Sequence, residues 1–122
     1  MDSNLDAYIE EAPEGQRASL RGLREKIERE FPGVEPEAPN GFPVWTIDGQ
    51  WCCGFATRKK GPVLYVMAPG VLDRHAEKLG SLRSGKSCVE LKASKTMTLD
   101  ELDALADVLF REARESMAGE GP

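Results

Sequence analysis

Histidine is nearly missing from this sequence, with His75 standing alone. One imidazole excludes the multi-histidine ligand sets that hold zinc, copper or non-haem iron. Cysteine is also scarce. Cys52, Cys53 and Cys88 are odd in number, two are adjacent, and none shows C-x-x-C spacing. A disulfide framework, a zinc ribbon and a thioredoxin-type site are thereby excluded, and reduced thiols acting as small buried hydrophobes are expected. No run approaches the roughly 18 apolar residues of a membrane span. The opening MDSNLDAYIEEA is acidic where a signal peptide would be basic and then apolar, so a cytoplasmic protein is expected. Internal repeats, linkers and low-complexity tracts are lacking. One domain is therefore expected over residues 1–122, ordered from about 5 to 117 and acting as a monomer or homodimer.

What is present is charge. The chain carries 21 acidic and 16 basic residues, a net charge of −5, with hydrophobic residues at 40%. This is the balance of a soluble globular domain. It argues against nucleic acid as a partner, because phosphate neutralisation dominates that affinity. Basic residues nevertheless gather locally, at Arg58-Lys59-Lys60 and again at Arg83, Lys86, Lys92 and Lys95. Such a patch suits a small anion better than a duplex.

Leu5, Tyr8, Ile9 and Ala12 recur at helical spacing, and Ser3 stands three residues before Asp6 as a helix start. Pro13 interrupts this first helix. Leu20, Leu23, Ile27 and Phe31 predict a longer one, stopped by Pro32-Gly33. Val34–Pro39 reads as extended, an edge strand. Val44–Ile47 and Trp51–Thr57 predict a hairpin about Asp48-Gly49, with Trp45 and Ile47 on one face and Val44 and Thr46 on the other. Lys60-Gly61-Pro62 is read as the next turn, before a strand at Val63–Met67. Pro69-Gly70 opens a short helix with Val71, Leu72, Ala76 and Leu79 inward. Gly80–Lys86 reads as a loop and Cys88–Lys92 as a strand. Thr98 and Glu101 form a capping box for a last helix with Leu99, Leu102, Leu105, Leu109, Phe110, Ala113 and Met117 as its stripe, and residues 119–122 are expected to fray. The fold class predicted is α+β: an antiparallel sheet of four or five strands packed against N-terminal helices and a C-terminal helix.

Four patterns bear on chemistry. Residues 80–87, GSLRSGKS, match the phosphate-binding pattern G-x-x-x-x-G-K-[ST] at every fixed position. That chemistry requires a strand before the loop and a helix after it, and here the predicted order is reversed. Milder anion cradling by Arg83 and Lys86 stays open beside a plain solvated loop. Asp6 and Glu10 lie one helical turn apart, with Glu11 and Glu14 nearby; Asp100, Asp103 and Asp107 form a second stripe. Carboxylates can gather hard cations, and they are also the ordinary wet side of amphipathic helices. His75 falls beside the apolar stripe of its helix; packing, exposure, or a nucleophile pair with Cys53 or Cys88 would each use it. No G-x-S-x-G elbow is present. Trp45, Trp51, Phe55 and Tyr65 lie on neighbouring strands, as sheet core or as a stacking surface beside Arg58 and Lys59.

Taken in order, Tyr8-Ile9, the Arg24–Phe31 helix end, Asn40-Gly41-Phe42-Pro43, Asp48-Gly49, Phe55-Ala56-Thr57-Arg58-Lys59 and Gly85-Lys86-Ser87-Cys88 resemble the YdhG-like family, a family of unknown function, from about residue 5 to 113. Where many members carry a histidine after the position of Lys59, this chain has Lys60-Gly61-Pro62. The resemblance implies an α+β fold with an antiparallel sheet. It also implies a link to iron, because one branch is described as frataxin-like iron chaperones; Fe2+ held weakly by Asp6 and Glu10 is the corresponding expectation. The strand and helix order is also similar to the YjbR group, sometimes proposed to bind DNA through paired wings. The expected function is non-enzymatic. Beside iron binding stands a binding module for a small anionic ligand or a protein partner, using Lys59, Arg83 and Lys86 next to Trp45 and Tyr65. Hairpin-mediated DNA binding is the reading that the net charge disfavours.

Overall fold

A computed structural model describes residues 3–38, 41–95 and 97–118. Helices α1 (Ser3–Glu10) and α2 (Glu14–Glu30) come first, then strands β1 (Val44–Ile47), β2 (Gln50–Arg58) and β3 (Gly61–Val66). Two single-turn helices follow, α3 (Val71–Arg74) and α4 (Ala76–Leu79), with a 3-10 turn at Gly80–Leu82. Strand β4 (Cys88–Glu90) and helix α5 (Leu99–Met117) complete the chain. The strands stand in the order β1-β2-β3-β4, all antiparallel. The α+β architecture, with the sheet against N-terminal helices and a C-terminal helix, is as the residue pattern predicts.

Asp48 and Gly49 close the first hairpin with φ of 52° and 80°, the doubly positive turn that matches strand twist. Register slips between Trp45 and Thr46: Trp45 faces Cys53 and Thr46 faces Trp51, leaving Cys52 as a bulge. Adjacent strand residues ordinarily point to opposite faces. The bulge turns Cys52 inward, so both Cys52 and Cys53 join the core. Its carbonyl accepts from Met67 N at 2.8 Å and Ala68 N at 3.2 Å, which anchors the chain as it leaves β3.

Trp45, Cys53, Phe55, Leu64, Val66 and Val89 form the sheet side of the core, against Leu20, Leu23 and Ile27 of α2 and Leu102, Leu109 and Phe110 of α5. Ile47 packs partly against the same core. Lys26–Asp103 at 3.0 Å, Arg29–Asp107 at 2.9 Å and Arg114–Glu30 at 3.0 Å link α2 to α5 around the rim. The exposed Arg29–Asp107 pair contributes roughly 0–1 kcal/mol, small beside the burial of apolar side chains.

Several expectations are corrected. The second hairpin turns at Lys59-Lys60, and Gly61 and Pro62 already pair with Arg58 and Thr57. Proline fits there because Pro62 is used only as an acceptor, its carbonyl receiving Leu91 N at 3.0 Å. The helix expected from Gly70 breaks at His75 (φ −116°), and Ala76 is turned outward. Leu99 is 50% exposed, since it stands at the first position of α5 before the stripe meets the core. The described part of the segment expected to be extended, 34–38, contributes a bridge, Glu37 to Val44, with reciprocal bonds of 2.8 Å. The expectations for residues 119–122, Pro39 and Asn40 lie outside the described residues, as does the side chain of Ser3.

Gly54 carries a tight constraint. A Cβ there would stand 2.3 Å from the carbonyl oxygen of Pro43, whose oxygen accepts from Phe55 N at 3.3 Å. Gly54→Ala is expected to lower unfolding free energy by at least about 2 kcal/mol, because backbone cannot yield as a flexible side chain does. Urea denaturation checks this; an unchanged midpoint would show that the approach is looser than described.

Candidate anion-binding site

Alternation along β1, β2 and β3 sends Val44, Ala56, Val63 and Tyr65 to the face away from the helices. Val44, Ala56 and Val63 are buried there without joining the helix-side core. Aromatic groups cover part of this face. Phe42 stacks on Tyr65, with centroids 5.0 Å apart and planes at 20°. The Arg58 guanidinium lies 5.5 Å from the Phe42 ring centre and 5.8 Å from that of Tyr65, and its Nη2 donates to Tyr65 Oη at 2.7 Å. Cation–π contact and a hydrogen bond together restrict an otherwise flexible arginine.

Helix side chains hold the strand end that carries Arg58. β1 stops short of Thr57, so the Thr57 N–H has no strand partner on that side; it donates to Tyr8 Oη of α1 at 2.9 Å. Gln16 Nε2 of α2 donates to the Arg58 carbonyl at 2.8 Å. Gln16 also bonds the Thr57 hydroxyl.

Beside this stack a pocket of 420 Å³ opens between the Lys59-Lys60 turn, β4 and the loop before it. Arg58, Lys59, Lys60 and Lys92 line it, with Glu90 as its one carboxylate. Pro62, Val63, Cys88 and Leu91 supply apolar surface, and Ser84 closes the far side. Lys92 Nζ is 3.5 Å from Glu90 Oε1. Among the described residues neither Lys59 nor Lys60 has an ion-pair partner. Ser84 Oγ donates to Cys88 Sγ at 3.2 Å. A concave site with clustered cations and an apolar floor can hold an anion at one end and exclude water along the other.

The residues singled out from sequence are dispersed. Lys59 lines the pocket, and Tyr65 touches it through Arg58. Trp45 does not belong with Tyr65: it is fully buried on the opposite face, against Phe55, and among the described residues its Nε1 has no partner. Arg83 is occupied in shaping its own loop, bonding Asp73 at 2.9 Å, the Lys86 carbonyl at 2.8 Å and the Gly85 carbonyl at 3.3 Å. Lys86 is exposed and outside the pocket lining. Arg58, Lys60, Lys92, Glu90 and Cys88 complete the lining, and shared strand parity of residues 63 and 65 with 88 and 90 was the signal that could have gathered the strand residues.

The GSLRSGKS segment leads from α4 into β4, so no helix N-terminus faces a phosphate at Lys86-Ser87. Asp6 is bonded to Arg24, and Glu10 to Arg21 at 3.0 Å. A ferrous ion would meet two carboxylates already engaged by guanidinium groups, and among the described residues no three metal-ligating side chains cluster. Burial pushes the Cys53 thiol up, and contact with Cys52 adds to this, so it stays neutral. His75 Nε2 lies 2.9 Å from Glu112 Oε1, in a separate depression from Cys88. Among the described residues neither thiol is hydrogen-bonded to the imidazole. No family model matches the chain, and no curated protein or solved structure matches it. No helix among the described residues is long and apolar enough to cross a membrane.

Glu112 supplies a pH test. Burial opposes its ionisation, but hydrogen bonds from His75 and Arg74 outweigh this and hold its carboxyl below the ordinary 4.5. A lowered folded pKa contributes stability above the unfolded value, lost as pH falls through the folded one. Glu112→Gln should therefore be less stable than the parent near neutral pH, with the difference closing as pH falls from the ordinary carboxyl value through the lowered folded one. Urea unfolding across pH checks this; a pH-independent difference would contradict it.

Proposed function

We propose that this chain is a non-enzymatic binding module for a small anionic ligand, taken up in the pocket beside the Lys59-Lys60 turn. The observation that carries this reading is the convergence of Arg58, Lys59, Lys60 and Lys92 on one concavity of a chain whose net charge is −5. Several acidic residues elsewhere are engaged with basic ones between helices, as in Lys26–Asp103 and Arg29–Asp107. The two turn lysines instead keep their charge for solvent or a ligand. Arg58 adds a planar donor group already oriented by Phe42 and Tyr65, so binding costs less ordering than for a free arginine. The lining offers no nucleophile with a base, which favours binding over turnover.

Isothermal titration with sulfate and with acetate at low ionic strength tests the proposal. Saturable binding is expected, weakened by added salt as exposed charges are screened. Lys59→Ala/Lys60→Ala should weaken it roughly tenfold, about 1.4 kcal/mol, without lowering the unfolding midpoint. Absence of saturable binding, or equal affinity in the double variant, would overturn it.

A further inference from the structure

The pocket has a direction. Register places Arg58 opposite Gly61, Val63 opposite Glu90 and Tyr65 opposite Cys88. From the Lys59-Lys60 turn to Cys88 the site thus runs along β3 for four residues, on the order of 13 Å at about 3.3 Å per residue. Its cations are not spread evenly over that length. Arg58, Lys59 and Lys60 stand at the turn, while Lys92 is opposed by Glu90. Beyond them lie the Val63 side chain and the Cys88 thiol, which Ser84 already hydrogen-bonds. Inorganic phosphate would fill the cationic end and leave the half-buried Pro62, Cys88 and Leu91 surface around Val63 wet.

Building on the anion-binding reading, we infer that the ligand is an amphipathic carboxylate: its carboxylate at the Lys59-Lys60 turn beside Arg58, its hydrocarbon body laid over Val63 toward Cys88. A carboxylate matches the planar guanidinium fork. Glu90, placed midway along the floor, repels a second anionic group there and so selects against ligands charged at both ends. The hydrocarbon body removes the apolar floor from water, which rewards length until the floor is covered.

The three cysteines provide a local reporter. Cys52 and Cys53 are fully buried and Cys88 is partly exposed in the lining, so a neutral maleimide applied to the folded chain reads Cys88; Cys88→Ser should abolish labelling. The probes are acetate, butyrate, hexanoate and octanoate, at concentrations below micelle formation, with affinity from titration and occupancy from protection of Cys88. Affinity should rise roughly two- to fourfold per added methylene, up to a plateau, as expected for hydrocarbon leaving water. Octanoate should slow Cys88 labelling and acetate should not. Val63→Thr, which keeps the side chain's shape and adds a hydroxyl, should flatten the length dependence. Affinity independent of chain length, with sulfate and acetate still sensitive to Lys59→Ala/Lys60→Ala, would overturn this inference and leave the anion-binding reading standing. Length-dependent binding that neither protects Cys88 nor responds to Val63→Thr would also overturn it, by placing the hydrocarbon elsewhere. If no anion saturates the chain, both fall.

Discussion

The outer face of the sheet depends on the absence of one side chain. At Gly54 the Pro43 carbonyl comes so close that a Cβ would lie 2.3 Å from it. This approach lets residues 41–43 run against the sheet before β1 begins, and it brings Phe42 over Tyr65. The two rings then receive the Arg58 guanidinium. A backbone contact at Gly54 of β2 is thereby linked to a cation farther along the same face. Bulky side chains alone would not produce the stack, because aromatic pairing adds only about 0.5–1.5 kcal/mol beyond burial; the backbone path must first place Phe42.

The helices reach the same site through hydrogen bonds. β2 outruns β1, and a strand edge without a partner exposes donors and acceptors that need one. Tyr8 of α1 accepts from the Thr57 N–H and Gln16 of α2 donates to the Arg58 carbonyl. Hydrophobic burial fixes α1 and α2 on the sheet, and their polar ends in turn hold the strand terminus that presents Arg58. Charge follows a similar division. Acidic and basic groups are matched across α1, α2 and α5, whereas the β2–β3 turn carries adjacent lysines without partners among the described residues.

Much of the fold was legible in the residues, and for local reasons. Helical spacing in Leu20–Phe31, the Asp48-Gly49 turn and the Thr98–Glu101 cap each draw on interactions within a few positions; the cap is realised by reciprocal bonds of 3.1 and 2.8 Å. The bulge at Cys52 was not legible, because it depends on which residue of β1 is opposite. The break at His75 has the same character: Glu112, on a different helix, accepts its ring contact. The candidate site was legible only in part. A basic turn was visible at Arg58-Lys59-Lys60, but strand parity and register decide that Trp45 faces the core while Tyr65 faces the outer side, where it meets Arg58. Arg83 and Lys86 looked available as cations, and only the loop geometry shows Arg83 spent on Asp73 and on neighbouring carbonyls.

The spatial order of the strands repeats their order along the chain. Both hairpins close through two residues, while β4 joins only after the excursion through residues 67–87. Loop-closure entropy rises with the length of chain enclosed, by about 0.6 kcal/mol per doubling, so the first three strands are the inexpensive part of assembly. Arg58, the turn lysines and Tyr65 belong to that locally closed ribbon; Cys88 and Glu90 lie on the strand joined through the longer connection. The cavity thus exists only once the last edge has docked, and loosening that edge alone would empty the pocket while the rest of the sheet stayed intact.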